Sequence, residues 1–205
     1  MSPNRHLVIF AKAPKLGAVK TRLAAHIGDE GALKFYRETL MGVLTRMASG
    51  PEWRCWISLT PDTALTEVPF WPDTVNAISQ GRGDLGDRMA RTIEALPPGP
   101  VALIGADIPT IERHHIETAF TALDKHDTVF GPAADGGYWL VGSTRSFKTR
   151  DMFKNVRWST SHALSDTLVN VAALEKSSAQ LETLEDIDDG AAYQKWLTNA
   201  LSGGA

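Results

Sequence analysis

The sequence predicts an α/β protein, three layers deep, with a mostly parallel sheet covered by helices on both faces. Three observations lead there. Apolar runs of strand length alternate with helix-spaced apolar patterns along the whole chain. The run Val101-Ala102-Leu103-Ile104 is apolar at every position, as in a strand buried on both faces at the centre of a parallel sheet. Gly and Pro clusters punctuate the segments at intervals too short for separate domains, so residues 1–205 read as one domain.

Taken in order, Leu7 to Ala11 is the first strand. Leu33, Tyr36, Leu40, Val43, Leu44 and Met47 recur at helical spacing, and Ser49-Gly50-Pro51 stops that helix. Trp53 to Thr60 forms a second strand and Val75 to Ser79 a short third. Leu85 to Leu96 is helical up to the breaker Pro97-Pro98-Gly99-Pro100. The Val101–Ile104 strand follows, then a helix that Thr110 can cap, with Ile116, Ala119, Phe120 and Leu123 on its apolar face. Thr128 to Pro132 and Tyr138 to Gly142 are strands either side of Ala133-Ala134-Asp135-Gly136-Gly137. Helical patterns at Ser161 to Ala173 and Asp189 to Leu201 close the chain.

Composition narrows the function classes. A net charge of -3 offers no general attraction to nucleic acid. The one cysteine, Cys55, excludes an internal disulfide and suits a reducing cytosol, and within its strand-like run it reads as a buried filler. The apolar run at the N-terminus is too short for a signal peptide or membrane span, so a cytoplasmic location is expected. The six histidines lack zinc-site spacing, and His114-His115 reads as helix surface.

Four segments carry candidate chemistry. Asp107 follows the doubly buried strand, where the carboxyl ends of an α/β sheet open into a crevice. Its charge there calls for a partner such as a divalent cation carrying a phosphorylated substrate, or else it caps the helix after Pro109. The first strand runs into Ala11-Lys12-Ala13-Pro14-Lys15-Leu16-Gly17-Ala18-Val19-Lys20-Thr21-Arg22, which places four cations at a second strand end. Lys supplies a point charge and Arg a fork, as a polyphosphate requires, although a solvated basic turn has the same composition. Gly81-Arg82-Gly83-Asp84-Leu85-Gly86-Asp87-Arg88 can bring backbone close to a flat or charged ligand, or start a helix. Asp135-Gly136-Gly137-Tyr138 is a hairpin signal that also sets a carboxylate beside aromatic surface. Near the C-terminus, Asp186 and Asp188 lie two apart and share one side if extended, so they can complete an oxygen-ligand site begun by Asp107.

With these segments in this order the chain resembles an uncharacterised bacterial family of the glycosyltransferase-A superfamily, whose fold is that of the nucleotide-diphospho-sugar transferases, with a Rossmann-like sheet. The matching residues are Phe10-Ala11-Lys12-Ala13-Pro14, Gly17 and Val19-Lys20-Thr21-Arg22-Leu23; Gly83-Asp84-Leu85-Gly86-Asp87-Arg88-Met89; Ile104-Gly105-Ala106-Asp107 with Pro109; and Gly131-Pro132-Ala133 with Asp135-Gly136-Gly137-Tyr138. Trp158-Ser159-Thr160 and Asp186-Ile187-Asp188 match two weaker motifs. The chain is also similar to 2-phospholactate and molybdenum-cofactor guanylyltransferases. Two positions depart from the pattern: Thr110 stands where the family commonly has an acid, and Asp189 where it has Thr.

The resemblance implies a nucleotide or nucleotide-sugar donor held by Ala11, Lys12, Lys20, Arg22, Gly83, Asp84, Leu85, Gly86 and Arg88. It implies Mg²⁺ or Mn²⁺ on Asp107 and Asp188, and a small acceptor against Asp135, Gly136, Gly137, Tyr138, Trp158, Ser159 and Thr160. Asp107, Asp135, Lys20 and Arg22 are then the expected catalytic residues. The expected activity is a metal-dependent transfer, foremost of a glycosyl group from a nucleotide-diphospho-sugar. Guanylyltransferase-like nucleotidyl transfer releasing pyrophosphate, and a non-catalytic nucleotide-binding module, stand as alternatives. Lys12, Lys20 and Arg22 are expected to converge while Lys15 faces solvent, and Asp107→Asn is expected to leave the melting point nearly unchanged.

Overall fold

A computed structural model describes residues 4–67 and 69–202. In chain order the elements are β1 (His6–Lys12), α1 (Thr21–Ala48), β2 (Arg54–Thr60), β3 (Asn76–Ser79), α2 (Leu85–Ala95), β4 (Val101–Gly105), α3 (Arg113–Leu123), β5 (Thr128–Pro132), β6 (Tyr138–Ser143), α4 (Ala163–Ala173), β7 (Ser178–Gln180) and α5 (Gly190–Ser202). The seven strands form one sheet in the order β3-β2-β1-β4-β6-β5-β7. β1 pairs in parallel with β2 and β4, β2 with β3, and β5 with β7; β6 runs antiparallel to both β4 and β5.

The strand pattern generates the layers. Successive side chains leave a strand on opposite faces. In β1, Leu7 and Ile9 enter one core with Leu40, Val43 and Leu44 of α1 and Ile116 and Phe120 of α3. Val8 enters the other, with Met89 and Ile93 of α2 and Val171 of α4. Leu7, Val8 and Ile9 are all fully buried, as a central parallel strand requires. The three-layer, mostly parallel expectation holds.

Local departures have identifiable causes. α1 begins at Thr21, well before the periodic apolar run, and non-helical backbone at Gly28 (φ 76°) lets the chain change direction within it. Thr110 caps nothing: α3 starts at Arg113, where the backbone N–H of Glu112 donates to Nδ1 of His115 at 2.8 Å. β7 is only three residues of mixed polarity, so no alternation reveals it, and it exists because β5 offers it an edge. Cys55 is buried as expected, and burial pushes its thiol up to about 12.

Asp127 ties the start of β5 to the loop before β7. Its carboxylate accepts from the Ser146 hydroxyl at 2.7 Å and from the backbone N–H and hydroxyl of Ser177 at 3.1 and 2.9 Å. The Ser146 bond, then those from Ser177, hold its pKa down at about 2. The folded protein therefore binds fewer protons here than the unfolded chain, and the stabilisation is present above the unfolded value. We expect Asp127→Asn to be less stable by about 1 kcal/mol at neutral pH, after allowance for solvent screening. Urea titrations should show the gap closing as pH falls from about 4, the ordinary Asp value, to about 2.

Candidate functional site: two cavities that share Asp107

β1 lies between β2 and β4, so the connections on its two sides run in opposite directions. An α/β sheet leaves a crevice at such a switch point, outside the carboxyl ends of its strands. Two cavities of about 280 and 250 Å³ occupy it. Phe10, Leu85 and Asp107 line both, so they are two halves of one cleft with Asp107 on the shared wall.

The smaller half is basic, lined by Ala11, Lys12, Val19, Lys20, Tyr36, Gln80, Arg88 and Asp188 among others. Gln80 is buried and organises it: Nε2 donates to the carbonyls of Ala11 and Ser58 at 3.0 and 2.9 Å, and Oε1 accepts from Arg88 Nη1 at 2.9 Å. The Arg88 guanidinium is thereby held over the Phe10 ring, 5.9 Å from its centroid. Tyr36, which its spacing marks only as a core residue of α1, clamps the end of β1. Its hydroxyl donates to the Lys12 carbonyl at 2.9 Å and accepts from the Lys12 N–H at 3.0 Å. Burial, then the charge of Asp107, pushes the Tyr36 phenol well above its ordinary range, so it stays neutral.

Lys20 precedes α1 in left-handed conformation (φ 50°), which turns its side chain inward until only 3 % is exposed. Its Nζ lies 2.8 Å from Asp107 Oδ1 and 3.6 Å from Asp188 Oδ1. The charges are paired, but no acceptor meets the ammonium with hydrogen-bond geometry. A non-glycine residue in that region costs of order 1–3 kcal/mol and persists only where its surroundings enforce it.

Asp107 thus lines the cleft rather than capping α3, and its side chain is 49 % exposed. Its backbone carbonyl accepts from the Ile187 N–H at 3.3 Å. Ile187 is buried against Leu23, Ala32 and Phe35. Anchoring the middle residue turns its neighbours the other way. Asp188 reaches the basic half and Asp186 the other, so the two acids flank Asp107 from opposite halves. Burial, then the charge of Asp135, raises the Asp186 carboxyl above its ordinary value, against the pull of Lys20.

The second half is lined by Asp107, Asp135, Gly137, Tyr138, Trp158, Ser159, Thr160 and Asp186, with apolar walls from Met89, Leu103 and Val141. The β5–β6 turn reaches it because β6 is inserted beside β4. Asp135 closes its own turn, Oδ1 accepting from the Gly137 N–H at 2.8 Å, and the residue also lines the cavity.

Some expected contacts lie elsewhere. Arg22 lines neither half and is 76 % exposed; it holds Asp188 from outside, Nη1 to Oδ2 at 2.9 Å. Lys12 and Lys20 therefore converge without it, and Lys15 pairs with Glu67 at 2.6 Å away from the cleft. Gly83 (φ 111°), Asp84 and Gly86 line neither half. Asp84 caps α2 through the Asp87 N–H at 2.8 Å, and Gly86 leaves room for Trp158, which a Cβ would meet at 2.7 Å. Gly136 also stays behind the wall, against the backbone of Ser161. Thr110 lines a separate hollow beside α5, and Asp189 caps α5 through the Ala192 N–H at 2.9 Å, so neither departure from the family pattern touches the cleft.

His115 is not helix surface: it is buried, edge-on to Trp139, with His114 and Glu182 gathered at its outer side. Because its Nδ1 accepts from Glu112, the neutral ring carries its proton on Nε2, which faces Glu182 Oε1 at 3.3 Å. That is a close polar contact between the ring and the carboxylate.

Among the described residues no helix is long and apolar enough to cross a membrane. No curated protein matches the chain. Among solved structures it is similar to a provisionally named nucleotide-diphospho-sugar transferase from Desulfovibrio desulfuricans G20. That match has 27 % identity and a TM-score of 0.80 over 91 % of this chain and 83 % of the other. It shares its fold with a CMP:2-keto-3-deoxy-manno-octonic acid synthetase complexed with CTP (10 % identity, TM-score 0.60, 98 % and 99 % covered). It also shares it with Rv0371c of Mycobacterium tuberculosis H37Rv (12 %, 0.60, 97 % and 100 %), which has been solved with manganese as well. Residues 43–160, more than half of the chain, match the model of a family described as an uncharacterized protein conserved in bacteria, DUF2064, and the chain belongs to that family.

Proposed function

We propose that the protein is a metal-assisted transferase that moves a glycosyl group from a nucleotide-diphospho-sugar to a small acceptor. The observation that carries this reading is the divided cleft: a basic half and an aromatic, acidic half meet at Asp107, as a phosphate-bearing donor and an acceptor attacking it require. Lys12, Lys20 and Arg88 line the donor half and can oppose diphosphate charge, Arg88 in an orientation set by Gln80. The name of the Desulfovibrio neighbour points the same way.

Asp107 and Asp188 fit a divalent cation. Their carboxylates converge on one point from either side, they offer hard oxygen donors, and what stands between them is a buried ammonium without a hydrogen-bond acceptor. Mg²⁺ or Mn²⁺ held there supplies neutralisation of the charge that develops on the departing phosphate. Arg22 steadies Asp188 from outside. In the acceptor half Asp135, kept in place by its own turn, orients the attacking hydroxyl and can take its proton, with Tyr138 and Trp158 as walls.

The second reading is nucleotidyl transfer with release of pyrophosphate. It is favoured by three cations in the donor half, enough for a triphosphate, and by the neighbour complexed with CTP.

Calorimetry with Mn²⁺ against nucleoside triphosphates and nucleotide sugars tests the proposal. Metal and nucleotide should each bind better in the other's presence. Arg88→Ala should weaken the nucleotide about tenfold, the loss of one charge-assisted contact. Absence of binding by every nucleotide in the presence of Mn²⁺ would overturn the assignment. Tight triphosphate binding with pyrophosphate release on adding an acceptor would decide for the second reading.

A further inference from the structure

We infer that the acceptor half of the cleft selects a neutral or amine-bearing molecule with an apolar body, and turns away phosphates and carboxylates. This rests on the reading of that half as the acceptor side and names the class of acceptor.

The evidence is the sign of the charge on each side of Asp107. Every cation of the cleft lines the donor half: Lys12, Lys20 and Arg88. The lining of the other half includes three carboxylates, from Asp107, Asp135 and Asp186, and no Lys, Arg or His. A phosphate or carboxylate bound there would find no opposing charge to replace its water, and an uncompensated buried anion is strongly disfavoured. Lys20, or a cation in its place, compensates Asp107 and Asp188, but Asp135 has no basic partner among the ion pairs of the described residues.

The rest of the wall is made for a different occupant. The rings of Tyr138 and Trp158 meet edge to face at 6.4 Å, and Phe10 closes the side toward the donor half. Aromatic faces bind apolar groups and cations alike. Trp158 and Tyr138 add aromatic surface to that wall and no charge. An ammonium would gain the carboxylates of Asp135 and Asp186 in addition to the rings.

Three probes of one shape and different charge test this: benzylamine, benzyl alcohol and benzoate, each titrated into ¹⁵N-labelled protein. The reporters are the Gly137 amide and the Trp158 indole resonances. Benzylamine and benzyl alcohol should shift both saturably, and benzoate should bind at least tenfold more weakly. Asp135→Asn with Asp186→Asn should narrow that gap. If the double variant fails to fold, Asp135→Asn alone should narrow it in the same direction. Benzoate binding as tightly as benzylamine, or no movement of either resonance with any probe, would overturn the inference. A parallel titration with Mn²⁺ and nucleotide, followed at Lys12 and Arg88, keeps the two ideas separate. Failure there strikes the transferase reading, whereas nucleotide binding together with a preference for benzoate strikes only this one.

Discussion

Asp107→Asn should lower transfer by at least about a hundredfold, the loss expected when charge stabilisation of the transition state is removed, and should abolish nucleotide-coupled Mn²⁺ binding. The variant should also be less stable, contrary to what the sequence alone leads one to expect. Asp107 itself is half exposed, but Lys20 is not: its side chain is 3 % exposed and its ammonium lies 2.8 Å from Asp107. Removing that charge leaves a buried cation with only Asp188, at 3.6 Å, which costs about 1–3 kcal/mol. Lys20→Met in the same chain should restore most of the stability, since the buried charge is gone, while transfer stays low. Denaturant titrations of the two single variants and the double variant form a cycle that measures the coupling. Additive stability losses would show that Asp107 and Lys20 do not depend on each other. Unchanged transfer in Asp107→Asn would remove Asp107 from the chemistry.

Gly136→Ala should cost about 3 kcal/mol, combining left-handed strain with overpacking. Gly136 has φ +87°, and a Cβ there would lie 2.4 Å from the carbonyl oxygen and 2.6 Å from the Cα of Ser161. Both obstacles are backbone, so no rotamer change relieves them. The turn can escape only by parting from the 158–161 segment, which breaks the bond from the Leu164 N–H to the Gly136 carbonyl at 3.1 Å. Gly105→Ala is the control: Gly105 lines the cleft, and a Cβ there meets nothing within 4 Å. Equilibrium denaturation should leave Gly105→Ala near wild type. Equal stabilities for the two variants would show that the turn and the 158–161 segment are not held together as described.

Much of this protein is legible in its sequence because the relevant physics is local. A run of apolar residues between breakers has few alternatives to a buried strand, and Leu7–Ala11 and Val101–Ile104 lie in β1 and β4. An acid immediately after such a strand is carried to the edge where the crevice opens, which is why Asp107 stands out before any coordinate is known. Alternation also predicts that Asp186 and Asp188 face one side, and Ile187 between them is indeed buried. The glycine-rich segment after β3 reaches the cleft through Leu85 and Arg88, but its glycines could not be placed from the sequence, for the same reason of locality. Glycine signals close approach but not what approaches, and at Gly86 the neighbour is Trp158, seventy-two positions away.

The sequence by itself determined the alternation of elements, the two-sided burial of the central strands and the strand ends at which charged residues gather. Each follows from the period of side chains along one segment and from the cost of burying a charge. Only the tertiary structure decided which segments meet. Insertion of β6 between β4 and β5 brings Asp135 beside Asp107, and the pairing of strands distant in sequence leaves no trace in local periodicity. The left-handed turn at Lys20 delivers its ammonium to two carboxylates, and the burial of Ile187 turns Asp186 and Asp188 together toward the cleft, where each lines a different half. Those contacts depend on packing energies shared among α1, α5 and the sheet, and they set the opposite charges of the cleft on either side of Asp107.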